Sequence, residues 1–122
     1  MICYPVRKEG SIGTSLVALL KGISKLDNSL GLEIAGAMNP AHLISLSASL
    51  SKFILNQKNC LSSLNIALQS GSSRIQRLMR RPQFEKQALR RATNNMRLVN
   101  PKFYFSGEII VGFNHETDED SN

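Results

Sequence analysis

Residues 41–70 constrain this chain more than any other stretch, because thirty consecutive residues carry only two formal charges, Lys52 and Lys58. Leu43, Leu46, Leu50, Phe53, Gln57, Cys60, Leu64 and Ala67 follow one another at three- and four-residue steps, with Ile54, Leu61 and Leu68 alongside. That is a heptad rhythm, and it predicts one helix of about eight turns. The positions between are largely serine: Ser45, Ser47, Ser49, Ser51, Ser62 and Ser63. A solvated helix usually carries charges or ion pairs on its outer face, whereas small uncharged serines permit close approach by another surface. Two accounts follow: a weakly soluble hairpin with an ordinary outside, or a helix packed on both faces, one within the molecule and one against neighbours. The second is favoured.

Upstream, Leu16, Leu19, Leu20, Ile23, Leu26 and Leu30 mark one helical face within residues 11–38, with Ser11 or Thr14 as its cap. Asn39-Pro40 breaks it, since proline disfavours the α conformation in the residue before it and is at home in the first turn of a new helix. The expected fold is therefore mainly α: a helical hairpin of residues 11–38 and 41–79, loosened at Ser70-Gly71-Ser72-Ser73. A third, basic helix over residues 83–98 places Phe84, Ala88, Leu89, Ala92 and Met96 on one face. Between Lys102 and Phe113, two aromatic and β-branched runs flank Ser106-Gly107 and predict a short β-hairpin. The acidic residues after His115 read as disordered. Residues 1–80 form one unit on this reading and residues 81–122 a second.

The net charge of +6 on 122 residues hides an uneven distribution. Residues 74–102 hold nine basic side chains and one acidic, whereas residues 103–122 hold five acidic and none basic. Arg74, Arg77, Arg80, Arg81, Arg90, Arg91 and Arg97 suit a phosphate backbone, the basis for a small nucleic-acid-binding module as the alternative function. The same arginines suit the acidic segment 116–120, and this second use is favoured. Two cysteines, Cys3 and Cys60, and two histidines, His42 and His115, show no zinc spacing. No carboxylate is spaced to orient His42, and Cys60 falls on the apolar side of the heptad. Residues 10–15 carry glycines but lack the full pattern of a phosphate-binding loop. No enzyme, metal or cofactor is expected. The longest apolar run near the N-terminus is too short for a signal peptide or a membrane span.

Within residues 39–80 the chain resembles the C-terminal half of type III secretion needle subunits, with inner-rod subunits as the nearest relatives. The resemblance is carried by Asn39-Pro40-Ala41, Leu43, the run Ala48-Ser49-Leu50-Ser51-Lys52-Phe53-Ile54-Leu55, and Arg74-Ile75-Gln76-Arg77-Leu78 in unbroken register. It implies a self-assembling structural subunit, a homo-oligomeric filament forming a conduit for protein export. Asn39, Pro40, Leu43, Leu50, Phe53, Leu55, Ile75, Gln76 and Leu78 would carry the hairpin and its assembly. It also implies contacts with other subunits of the secretion apparatus and a cytosolic chaperone, and a secreted or cell-surface location reached without a signal peptide. Outside that resemblance the expected location is cytoplasmic. The 42 residues beyond Arg80 depart from the family pattern.

Overall fold

Three parallel strands, in the order in which they occur along the chain, form the centre of the molecule. The computed structural model describes residues 15–27, 29, 31–57 and 61–121. The expected helix start at residues 11–14, the glycines of residues 10–13, Cys3 and Cys60 lie outside them. The element order is α1 (Leu16–Ser24), β1 (Ala37–Met38), α2 (Pro40–Asn56), β2 (Ser63–Gln69), α3 (Ser73–Leu78), α4 (Lys86–Val99), β3 (Tyr104–Ile109) and α5 (Asp118–Ser121).

This is an α/β fold, and the mainly α hairpin expected from the heptad pattern is incorrect. The chain does turn at Asn39-Pro40: the Asn39 side chain accepts from the Ala41 amide at 2.9 Å, and Pro40 occupies the first helical position. What precedes the turn is strand β1, however, and α2 stops at Asn56. The polar run Asn56-Gln57 offers no apolar face, and asparagine competes for backbone hydrogen bonds outside the helix. Beyond it, Leu64, Ile66 and Leu68 alternate with Ser63, Asn65 and Ala67, which is the period of a strand. β2 uses that alternation to bury Leu64 and Ile66 while pairing with β1 on one edge and β3 on the other.

The expected C-terminal β-hairpin is also replaced. Ser106-Gly107 lies inside β3 and makes no turn, and β3 pairs in parallel with β2 through Leu64↔Phe105, Asn65↔Ser106 and Ile66↔Gly107. The register slips between Ile66 and Gln69. Gly107 makes room there, since a Cβ at this position would lie 2.9 Å from Leu68 Cδ1. A parallel pair needs a long crossover, and α3 with α4 supplies it.

One face of the sheet is apolar. Leu43, Leu50, Phe53 and Ile54 of α2 and Met96 of α4 join Leu64, Ile66 and Phe103 in a single core, to which α1 adds Val17 and Leu20. The opposite face is polar: the Asn65 amide nitrogen donates to Glu108 Oε1 at 2.9 Å, and Ser106 Oγ donates to Asn65 Oδ1 at 3.2 Å.

Helix α3 ends in a six-residue capping motif, with the Arg80 amide donating to Arg77 O and the Arg81 amide to Gln76 O. Arg80 has a φ of 53° in the position that usually takes glycine. Relieving a left-handed non-glycine residue is worth about 1 kcal/mol. Arg80→Gly is therefore expected to raise the thermal midpoint by a few degrees, measured by circular dichroism, because the capping bonds come from the backbone and survive the change.

Candidate functional site at the carboxyl edge of the sheet

Parallel strands bring their carboxyl ends to one edge, and in α/β sheets that edge is where ligands bind. Here it gathers the residues that follow β2 and β3. Gln69 adopts a φ of 62°, and the Ser70 amide donates to Leu68 O across it at 2.7 Å, so the chain leaves β2 in a three-residue turn. Ser72 then caps α3, its Oγ accepting from the Ile75 amide at 3.4 Å. Gln76 is buried beneath this turn and donates its Nε2 to Ser70 O at 2.8 Å. Its Oε1 has no hydrogen-bond partner among the described residues.

Residues 110–121 cross over this turn. The Ile110 amide donates to Gln69 O at 2.8 Å. Glu116 Oε2 accepts from the amides of Gly112 and Phe113 at 2.7 and 3.0 Å. Arg74 forms an ion pair with Asp120 and donates to His115 O at 2.6 Å. Asp120 also accepts from Ser72 Oγ at 2.6 Å and from the Thr117 amide and hydroxyl at 3.1 and 2.8 Å. The Arg74 guanidinium, followed by the Ser72 hydroxyl, holds the Asp120 carboxyl well below the usual carboxylate range, and Asp120 in turn raises Arg74. A lowered carboxyl pKa contributes stability above the unfolded-state value and loses it as pH falls through the folded one. In Arg74→Gln the Asp120 titration, followed by carboxyl carbon NMR, is expected to move up toward the ordinary range.

The residues expected to drive assembly are distributed differently. Asn39 and Pro40 begin α2, while Leu43, Leu50, Phe53, Ile75 and Gln76 are buried within this chain and unavailable to neighbours. Leu55 and Leu78 are exposed. The seven arginines have different surroundings. Arg74 is held by Asp120, Arg77 donates to Ser73 O, and Arg80 and Arg81 lie in the capping turn just past α3. Arg90 and Arg91 lie exposed on α4, Arg91 being 3.8 Å from Glu85, and Arg97 lies over the Phe105 ring at 5.4 Å. The acidic segment read as disordered forms α5 and supplies Asp120. Sequence reasoning missed Ser72, Asp120 and Glu116 as members of one site; the signal within reach was the opposite charge of the segments carrying Arg74 and Asp120.

Neither a metal-binding group of three or more His, Cys, Asp or Glu side chains nor a helix long and apolar enough to cross a membrane occurs among the described residues. In class, these are consecutive β-α-β units with a polar carboxyl edge. No family model matches the chain. Its curated relatives are tRNA-2-methylthio-N(6)-dimethylallyladenosine synthases. That of Helicobacter pylori is 37% identical over 98 residues, covering 80% of this chain and 22% of the relative. That of Fervidobacterium nodosum is 32% identical over 108 residues, covering 88% and 24%. That of Opitutus terrae is 46% identical over 57 residues, covering 47% and 12%. The chain thus spans at most about a quarter of the relatives' length.

These similarities correct the earlier expectations. The needle and inner-rod resemblance required one helix running from residue 41 to 79, and the chain instead leaves α2 at Asn56 and enters β2 at Ser63. With it fall the export filament, the secretion-apparatus and chaperone partners and the secreted or cell-surface location. The relatives are named as synthases, which overturns the expectation that no enzyme is involved. The alternative of a small basic helical nucleic-acid-binding module gains nothing either, because the fold is α/β and Arg74, Arg77 and Arg97 are engaged within the chain.

Proposed function

We propose that this chain supplies part of a tRNA-modifying enzyme that forms 2-methylthio-N6-dimethylallyladenosine in tRNA, the product in the relatives' name. The observation that carries the reading is the similarity to the Helicobacter pylori synthase across four fifths of the chain. The β-α-β units act as scaffold, and the carboxyl edge of β2 and β3 contributes polar groups to the substrate side of the enzyme. The shared stretch covers about a quarter of such an enzyme, so the remaining chemistry belongs to other segments.

The reading is tested by titrating the isotopically labelled full chain with tRNA bearing N6-dimethylallyladenosine. Amide shifts confined to residues 69–74 and 110–116, absent with tRNA lacking the dimethylallyl group, are expected. Shifts spread along α4, or identical with both tRNAs, would contradict it.

A further inference from the structure

We propose that residues 111–121 are a charge-latched strap across the carboxyl end of β2, shut by the Arg74–Asp120 pair and able to open while the sheet stays folded. The strap is fixed at two points of different kinds. Its start continues from β3 and is pinned by the Ile110 amide on Gln69 O. Its far end is held by polar contacts: the Arg74–Asp120 ion pair, the Ser72 Oγ bond to Asp120 and the Arg74 bond to His115 O.

Little apolar burial supports it. Val111 is 85% exposed, Phe113 is half-buried, and no residue from 111 to 120 is fully buried. Segments held by polar contacts and lacking buried apolar surface open locally at far lower free energy than the core. The chain also carries turning points within the strap: Gly112 at a φ of 73° and His115 at 66°. Just after them, Glu116 folds the segment on itself by capturing the Gly112 and Phe113 amides. The strap therefore moves as a small unit, with the Arg74–Asp120 pair as its latch.

Closure has a consequence at the edge it crosses. It engages the Ser72 hydroxyl and the Arg74 guanidinium, both at the head of α3. Opening releases both groups at the carboxyl edge of the sheet. This inference stands apart from the tRNA reading, and its test does not use tRNA.

Hydrogen–deuterium exchange of the full chain, resolved by residue, reads the latch. Arg74→Gln and Asp120→Asn are each expected to speed exchange of the strap amides at 112, 113, 117 and 120 by about tenfold or more, with β2 and α2 amides unchanged. Raising salt from about 0.05 M to about 0.5 M is expected to speed the same amides in the parent and not in Arg74→Gln. The swapped pair, Arg74→Asp with Asp120→Arg, is expected to restore part of the protection. Unchanged strap exchange in Arg74→Gln would overturn the proposal, and so would faster exchange spread equally over β2 and β3. A swapped pair no better protected than either single variant would also overturn it, by showing that the charges do not act as a latch.

Discussion

Replacing Phe53 with alanine is expected to cost about 3–5 kcal/mol, enough to leave the chain largely unfolded at 37 °C. Phe53 is 1% exposed and lies on α2 in the same buried cluster as Leu50, Ile54, Leu64 and Met96. Removing its ring forfeits apolar burial and leaves a cavity where α2 meets both the sheet and α4, elements that cannot collapse into the gap without losing strand register. The measurement is urea unfolding followed by circular dichroism, with a lower midpoint at unchanged slope as the expected signature. Leu55, two residues on and 54% exposed, is the control; Leu55→Ala is expected to stay within about 0.5 kcal/mol of the parent.

Ile66→Asn separates the observed fold from the helix that the heptad predicts. On a continuous helix with Leu64, Ala67 and Leu68 inward, Ile66 falls outside the apolar stripe and asparagine is harmless there. In β2, Ile66 is 4% exposed and lies between Met38 and Gly107 in the sheet register. Burying an amide in place of the isoleucine loses about 2–3 kcal/mol of apolar burial and adds about 1–3 kcal/mol for the unpaired polar group. An expected loss of about 4 kcal/mol follows, with Ala67→Asn, on the polar face of the strand, costing far less. The paired unfolding curves check both.

Where the sequence was informative, a local mechanism was at work. Asn39-Pro40 specifies a helix start through its side-chain cap and fixed φ, and the alternation of Ala88, Leu89, Ala92 and Met96 with arginines specifies α4. Residues 61–69 were ambiguous because Leu61, Leu64 and Leu68 satisfy a helical period while Leu64, Ile66 and Leu68 satisfy a strand period. Pairing decided between them, and the partners lie remote in the chain: Ala37 for Asn65 on one side, Ser106 for Asn65 on the other. Parallel pairing leaves no turn signature, so Ser106-Gly107 resembled a hairpin. The candidate site was hidden for the same reason, because Arg74 and Asp120 are 46 residues apart and meet only once β3 has carried the chain back to the end of β2. Charge opposition between their segments was visible, but nothing local selected Arg74 and Asp120 from among the seven arginines and five acidic residues.

The most direct measurement grafts the chain into its proposed setting. The 98-residue region shared with the Helicobacter pylori synthase is replaced there by the matching residues of this chain, in cells lacking the native enzyme. Nucleosides from their tRNA are then analysed by mass spectrometry. The account predicts that 2-methylthio-N6-dimethylallyladenosine is present. Accumulation of N6-dimethylallyladenosine alone, by a chimera that is folded and as abundant as the parent enzyme, would contradict it.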